Sequence, residues 1–295
     1  MKFAGSLPPR DSEKAIYEII GVPFDDNATI RGASKAPEMI RRASQRLETF
    51  LWHSKLELSD LMYYDRGDLH DIADPDFDSS FDTGTGKRKI FIGGDHSITY
   101  PLFKYYFERL GLTKIVVIDA HADFRDVYMG NRFSNACVMR RIAELAGFEN
   151  VIEIGVRSAS WEEYELMRDR VRILDVDTDV DGDDDDAPEE QELEGRLYLS
   201  IDIDVLDPGI APGVEYPEPC GISLEALIRL VRAIIKRGDV VACDIVEVNP
   251  ELDIKNGITC LNAARLVFEV LASYWLKDHE LNHITSRENP SHLAP

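Results

Sequence analysis

The sequence predicts a three-layer α/β/α fold with a mostly parallel sheet. Two observations support this prediction: short runs rich in Val and Ile alternate with longer amphipathic segments, and this alternation continues along most of the 295 residues. Strands of this composition are typical of parallel sheets that are covered by helices on both faces. No linker-like stretch divides the chain, so we expect a single domain over residues 1–295.

Each element is predicted from its apolar pattern. The candidate strands are short apolar runs at 15–22, 89–92, 114–119, 151–155, 171–174, 197–203 and 240–248. The candidate helices have apolar residues at helical spacing and lie at 36–51, 98–110, 136–147, 161–168, 223–237 and 258–275. Pro37 and Ser223 stand where helices commonly begin. Ligands of parallel sheets bind beyond the carboxyl ends of the strands, so polar motifs there are candidate sites.

Composition excludes several classes of protein. The net charge of −22 disfavours a nucleic-acid partner, because a phosphate backbone would be repelled. There is no apolar run long enough for a membrane span and no signal-peptide pattern at the start, so we expect no membrane partner and a cytoplasmic location. The four cysteines are widely spaced, which predicts buried, unpaired thiols.

Two polar segments are interpreted as surface features. The acidic loop at 175–194 contains eight Asp and four Glu and includes D-x-D-x-D-G. Its twelfth position is Pro188, where a calcium-binding EF-hand loop needs a bidentate Glu, so a solvated loop is favoured over a calcium site. The polar tail at 277–295 carries His279 and His283 at i, i+4, which we interpret as surface residues without further ligands.

Ligand-type residues follow three of the predicted strands. The segments are G-G-D-H-S at 93–97, D-A-H-A-D at 119–123 and I-D-I-D-V at 201–205. In an extended segment, alternate residues point the same way, so Asp119, His121 and Asp123 face one spot, as do Asp202 and Asp204. Alone, a His after two glycines is more often a turn residue, and a lone D-x-D is more often a cap.

Together, the three segments indicate a metal site. Carboxylates at the ends of buried strands are costly unless a cation neutralises them, and the motifs contain no Lys or Arg. Four carboxylates and two imidazoles suit Mn²⁺, whereas the absence of cysteine argues against structural zinc. Two divalent ions would balance the four carboxylates, so we predict two Mn²⁺ per chain.

These three motifs, in this order and spacing, resemble the signatures of the ureohydrolase superfamily, which includes arginase, agmatinase, guanidinobutyrase and formimidoylglutamase. The segments A-P-G at 211–213 and P-E-P at 217–219 resemble a loop of its agmatinase-type branch, and D-I-V-E-V-N-P at 244–250 resembles its final motif. The resemblance extends over nearly the whole chain and implies the arginase-like fold.

The resemblance also implies the roles of individual residues. The implied metal ligands are His96, Asp119, His121, Asp123, Asp202 and Asp204, of which Asp119 and Asp202 would bridge the ions. Glu247 matches the carboxylate that binds the guanidinium, a group best held by a carboxylate. The implied mechanism is attack of a metal-bridging hydroxide on the guanidinium carbon, with Asp123 carrying the proton to the leaving amine.

The chain departs from the family pattern at two places. Asn135 stands where the family usually has a histidine that relays protons or contacts substrate. An amide does not titrate near neutral pH. We therefore expect that the enzyme lacks an imidazole relay and that Asn135→His raises turnover. The competing hypothesis is that Asn135 donates its amide hydrogens to a group with which a histidine would make poorer contacts. Glu215 and Tyr216 replace small residues and could reshape the pocket mouth.

The substrate is expected to be a guanidino compound, with agmatine, cleaved to putrescine and urea, as the first choice. We find no match to the loop with which arginases hold the α-amino acid end of arginine. Arg125 and Arg132 could bind a carboxylate, so guanidinobutyrate stays open, as do arginine and formimidoylglutamate. A non-catalytic metal-binding protein is the alternative of another class. Family members commonly form trimers or hexamers, which implies a homo-oligomer.

Overall fold

Strands and helices alternate along the computed structural model, which describes residues 1–70, 72, 86–176 and 187–288, with side chains as far as residue 280. The strands are β1 Tyr17–Gly21, β2 Phe50–Leu51, β3 Leu56–Glu57, β4 Tyr63–Asp68, β5 Arg88–Ile92, β6 Lys114–Ile118, β7 Val151–Ile154, β8 Arg172–Leu174, β9 Arg196–Asp202 and β10 Asp239–Val246. The α-helices are α1 Ala36–Ser44, α2 Thr99–Leu110, α3 Val138–Ala146, α4 Trp161–Met167, α5 Leu224–Arg237 and α6 Ile258–Glu288.

Eight of these strands form one sheet in the order β4-β1-β5-β10-β9-β6-β7-β8. Every neighbouring pair in this sheet is parallel. The strand β10 comes last in the chain but lies between β5 and β9. The predicted fold class, an α/β/α protein with a mostly parallel sheet, is confirmed.

Two apolar cores lie on opposite faces of the sheet. Along β6, Val116 and Ile118 belong to the core that includes α1, α5 and α6, whereas Ile115 and Val117 belong to the core that includes α2 and α3. Successive strand residues point to opposite faces, so a strand covered on both sides is apolar throughout. This double burial explains the uninterrupted Val and Ile runs.

The first predicted helix was too long, and two strands near it were missed. The helix α1 ends at Ser44, and residues 50 and 51 pair with β3 in an antiparallel ribbon. Phe50 is exposed and Leu51 is buried, as expected for successive strand residues, although their spacing also fitted a helix. The edge strand β4 was not predicted because charged residues dominate its second half.

One buried ion cluster fastens that edge strand to α1. The guanidinium of Arg41 donates to Asp65 through Nε at 2.8 Å and Nη2 at 3.0 Å, and to Asp68 through Nη1 at 2.5 Å. Asp65 also accepts the backbone N–H of Phe3 at 2.8 Å. The Arg41 side chain is 4% exposed and that of Asp65 is fully buried. This ion-paired group, called here the Arg41 cluster, holds the edge of the sheet together.

The polar tail is helical as far as Glu288, and His279, interpreted as a surface residue, is partly exposed on this helix. His279 is half-buried, and its ring stacks on Trp275 with 3.6 Å between centroids. Its Nδ1 lies 2.8 Å from the Trp275 carbonyl oxygen. The ring therefore packs on its own helix. The side chain of His283 and residues 289–295 lie outside the described residues.

Other sequence-based expectations have mixed outcomes. All four cysteines are free, but Cys220 is exposed, which corrects the expectation that all are buried. The D-x-D-x-D-G motif of the acidic loop falls within 177–186, outside the described residues. No α-helix in the described ranges is long and apolar enough to cross a bilayer.

Candidate metal centre and substrate pocket

The four central strands of the sheet all end at one place. His96 follows β5, Glu247 follows β10, the segment 202–204 closes β9, and the segment 119–123 follows β6. Because parallel strands present their carboxyl ends at the same edge, residues distant in sequence meet there.

Positions 93 and 94, shortly before His96, must be glycine because neighbouring atoms leave no room for a Cβ atom. A Cβ on Gly94 would lie 1.7 Å from the Phe24 carbonyl oxygen, and one on Gly93 would lie 2.6 Å from the Ile98 side chain. Neither glycine has a positive φ. Asp95 caps the turn by accepting the backbone N–H groups of Ser97 and Asn27 at 2.9 and 3.1 Å. Asp95 is therefore a structural residue of the turn.

The ring of His96 is oriented by a buried relay of hydrogen bonds. Its Nε2 lies 3.0 Å from Ser200 Oγ, and that hydroxyl donates to Asp244 Oδ1 at 2.6 Å. Asp244 Oδ2 accepts from the hydroxyls of Thr99 and Tyr198 at 2.8 and 2.9 Å. Since Ser200 gives its hydrogen to Asp244, it accepts from Nε2–H. In its neutral, metal-binding form, His96 then has its lone pair on Nδ1, which faces the aspartates.

Three aspartates surround His96 Nδ1. The distances are 3.1 Å to Asp119 Oδ2, 3.1 Å to Asp123 Oδ2 and 3.3 Å to Asp202 Oδ2. His96 Nδ1 and Asp119 Oδ2 are buried without a hydrogen-bond partner. Atoms of this kind need a partner, and a metal ion between them would supply one.

A second group adjoins the first. The Nδ1 of His121 lies 2.8 Å from Asp204 Oδ2 and 3.8 Å from Asp119 Oδ1. His96, Asp119 and Asp202 can converge on one ion, and Asp119, His121 and Asp204 on another, with the ligand atoms of each group within 4.8 Å of one another. The structure thus brings together all six sequence-predicted ligands, and Asp119 lies in both groups.

The electrostatics of this cluster favour the binding of cations. Burial and nearby carboxylates raise the pKa of Asp119 to about 7 and that of Asp202 well above its usual range. Burial also acts against ionisation of Asp204, but its hydrogen bond with His121 outweighs this and lowers its pKa. In the described chain, the ion pairs of these aspartates are with the two histidines. The oxygen and nitrogen donors fit two divalent ions such as Mn²⁺.

A cavity of about 390 Å³ opens over the cluster and is lined by His121, Asp123, Asp202 and Asp204. Its other charged wall residues are Arg125, Glu163, Glu215, Glu218 and Glu247. The Arg125 guanidinium lies 3.8 Å from the Glu163 carboxylate. Arg132 is exposed, lies outside this wall and pairs with Asp126 at 3.2 Å.

Glu247, Asn135 and Glu215 form one hydrogen-bonded wall of the cavity. The Nδ2 of Asn135 donates to Glu247 Oε1 and to Glu215 Oε2, both at 3.2 Å. Glu247 Oε1 also accepts the backbone N–H of His96 at 2.6 Å. Burial raises the pKa of Glu247 well above its usual range. Glu247 has φ +65° and Asp123 has φ +52°, a left-handed conformation that is costly for both and concentrated at functional sites.

Two site features were not found from the sequence. The bond between Asn135 and Glu215 joins residues 80 positions apart. Glu153 on β7 is completely buried, and neither of its carboxylate oxygens has a hydrogen-bond partner. Burial, and then the nearby Asp119, raise the pKa of Glu153 well above its usual range. The signal for Glu153 was visible as a lone acid in the apolar run V-I-E-I.

Comparisons with known proteins point to one family. The model of the arginase family matches residues 15–273. The agmatinase of Pyrococcus horikoshii is 33% identical, over 91% of this chain and 95% of that protein. The N(1)-aminopropylagmatine ureohydrolase of Thermococcus kodakarensis is 34% identical, over 89% and 92%. The crystal structure of the agmatine ureohydrolase of Thermoplasma volcanium superposes with a TM-score of 0.77 at 32% identity, covering 95% of this chain and 96% of that one.

Proposed function

Because this chain belongs to the arginase family, and is therefore a hydrolase acting on guanidino compounds, we propose that it hydrolyses agmatine to putrescine and urea. The proposal specifies two Mn²⁺ ions per chain, held by His96, Asp119, His121, Asp123, Asp202 and Asp204. Such ions lower the pKa of a water molecule so that it can attack the guanidinium carbon. We also expect a homo-oligomer and a cytoplasmic location.

The protein's own residues would bind the substrate and move the proton. Glu247 lines the cavity beside the ligand cluster, where its carboxylate can hold the guanidinium and place the carbon over Asp123. The carboxylate of Asp123 faces the cavity and can accept a proton and deliver it to the departing nitrogen.

The observation that supports agmatine most is the charge of the cavity wall. Four glutamates line it beyond the ligand cluster, and its one arginine lies beside a glutamate. Such a wall attracts a second positive charge and repels a carboxylate. Glu218 lies at the mouth, with its carboxylate 4.0 Å from His121 Nε2, where it can meet the distal ammonium of agmatine. The wall therefore disfavours guanidinobutyrate.

N(1)-aminopropylagmatine is a second candidate substrate. It carries one more positive charge than agmatine, which the partly exposed Glu218 at the mouth can attract. The similarity to the Thermococcus kodakarensis enzyme supports testing it beside agmatine.

The test is urea release by Mn²⁺-loaded protein from agmatine, N(1)-aminopropylagmatine, 4-guanidinobutyrate and arginine, with chelated protein as the control. We expect the highest kcat/KM for one of the two polyamines. A preference for 4-guanidinobutyrate would refute the substrate assignment. No urea from any of the four compounds would contradict ureohydrolase activity and favour a non-catalytic metal-binding protein.

A further inference from the structure

One side-chain amide joins two buried carboxylates in the wall next to the metal ligands. The NH₂ group of Asn135 has two hydrogens, and its nitrogen lies 3.2 Å from an oxygen of Glu215 and 3.2 Å from an oxygen of Glu247. The two glutamates are 6% and 5% exposed, and both line the cavity. Two carboxylates are therefore side by side at the point where the guanidinium is expected.

We propose that Glu215 is a second guanidinium-binding carboxylate and that Asn135 is the residue that positions it beside Glu247. This inference rests on the proposed function in one respect, that the ligand carries a guanidinium. It makes Glu215 a specificity-determining residue for a positively charged head group.

The two carboxylates of the wall need a compensating positive charge. Neighbouring buried carboxylates repel each other and lose solvation, and the single amide of Asn135 is electrically neutral. Glu247 Oε1 already accepts from the His96 N–H at 2.6 Å, and Glu215 Oε1 accepts from the Ile30 N–H at 2.7 Å. These bonds fix both side chains but supply no full positive charge. A guanidinium provides that charge together with five N–H donors in a planar fork.

The Arg41 cluster shows that this fold already holds a guanidinium in such a way. There the guanidinium of Arg41 contacts two carboxylates, those of Asp65 and Asp68. In the cavity, Glu215 and Glu247 offer a comparable pair of acceptors, and the guanidinium would come from the substrate.

The residue type at position 135 also supports a positioning role. A neutral imidazole has one N–H, so a histidine could donate to one of the two carboxylates but not to both. Asparagine donates two hydrogens from one nitrogen without titrating. The geometry therefore favours the competing hypothesis for Asn135. In that hypothesis its amide hydrogens bind a group with which a histidine would make poorer contacts.

A purely structural role for Glu215 makes a different prediction. Its bond to the Ile30 N–H could simply fasten the loop near residue 30. Glu215→Gln keeps an oxygen acceptor for that N–H and removes the charge. If Glu215 only stabilises the loop, this substitution should affect the binding of all ligands equally. If Glu215 binds the guanidinium, the substitution should weaken only the binding of ligands with a cationic head.

The experiment compares two ligands with the same tail. Agmatine has a guanidinium head, and N-carbamoylputrescine has a neutral ureido head of nearly the same shape. Calorimetry on Mn²⁺-loaded protein should show that Glu215→Gln weakens agmatine binding about tenfold or more, as expected for loss of a charge-assisted bond. Binding of N-carbamoylputrescine and the metal content should stay within about twofold of wild type. The control is Glu225→Gln, a glutamate on α5 whose side chain is 75% exposed.

Asn135 is tested in two backgrounds. Asn135→His should weaken agmatine binding about tenfold when Glu215 is present, and much less in the Glu215→Gln background, because the two residues act as a unit. If Glu215→Gln weakens the binding of agmatine and N-carbamoylputrescine equally, or weakens neither, the inference is overturned. A wild-type protein that binds neither ligand would also overturn it. A higher kcat with a new pH inflection in Asn135→His would restore the missing-relay hypothesis and reject the positioning role.

The binding arm does not depend on turnover. A wild-type protein that binds agmatine through Glu215 but releases no urea would support this inference and refute the proposed function. If Glu215→Gln changes neither the KM nor the kcat of urea release, the proposed function is supported and this inference is refuted.

Discussion

Two clusters of buried carboxylates lie at the same edge of the sheet, and they differ in their source of positive charge. At the outer strand β4, the buried Asp65 and the partly exposed Asp68 face Arg41, whose side chain is almost fully buried. At the central strands, Asp119, Asp202 and their neighbours face only His96 and His121 among the described residues.

The difference separates a structural cluster from a functional one. A buried carboxylate must be neutralised, and a side chain that does so permanently leaves no ligand-binding capacity. The Arg41 cluster is complete and fastens α1 to the sheet. The central cluster lacks such a cation, which is the condition for binding ions from solution.

The largest expected effect concerns the central cluster. Purified protein should bind close to two Mn²⁺ per chain by elemental analysis, and chelation should remove activity. Asp119→Asn should lower kcat/KM by roughly a hundredfold or more, because removing charge from a ligand of both ions impairs both. We expect Asp119→Asn and Asp202→Asn to lose more metal than His96→Asn. If the protein retains no divalent metal after loading, the central cluster is not a metal site and does not differ in function from the Arg41 cluster.

The next effect concerns the Arg41 cluster. Arg41→Met leaves Asp65 buried without its cation and should lower the free energy of unfolding by about 3–5 kcal/mol. The adjacent Arg42→Met is the matched control, since its ion pair with Glu38 is exposed and worth roughly 0.3–0.5 kcal/mol. Urea denaturation measures both. Loss of Mn²⁺ from folded Arg41→Met protein would show that the two clusters are not independent.

The third effect concerns Glu247, a buried carboxylate whose expected cation is the guanidinium of the substrate. Glu247→Gln keeps the shape of the side chain and leaves the predicted metal ligands in place. Because a hydrogen bond to a charged group is worth roughly 1.5–3 kcal/mol, kcat/KM for agmatine should fall at least about tenfold with unchanged metal content. Wild-type kinetics in this variant would place the guanidinium elsewhere.

The smallest effect is expected at the cavity mouth. Glu218 is partly exposed, so its attraction for a distal ammonium is screened by water. Glu218→Gln should raise the KM for agmatine only about two- to fivefold. The KM for 4-guanidinobutyrate should fall or stay constant, because its tail is anionic. Parallel increases in both KM values would mean that Glu218 shapes the mouth without sensing the charge of the tail.

The sequence predicted strands best where both faces of the strand are buried. Strands such as β6, enclosed on both faces, appear as continuous apolar runs and were found within a residue or two. The edge strand β4 escaped because its buried Asp65 is stabilised by Arg41, a partner 24 positions away. Pairing of that kind depends on the folded structure and leaves no local pattern.

The same limit applies to the site. Residue types and alternation identified His96, His121 and the four aspartates as candidate ligands, because metal chemistry restricts which side chains can serve. The relay from His96 through Ser200 to Asp244 and the bridge from Asn135 to Glu215 join separate strands and loops. Only the order of strands in the sheet places these groups together, and that order is not encoded in local periodicity.

The position of β10 has a consequence for biosynthesis. The strands β4, β1 and β5 pair among themselves, as do β9, β6, β7 and β8. Among the described strands, the two sets are joined only through β10. During translation, both sets can be complete while β5 and β9 still present unpaired edges, a state prone to association with other chains. His96 belongs to the first set, and the aspartates that face it belong to the second. The complete metal cluster therefore assembles only after β10 has been synthesised and has closed the seam between them.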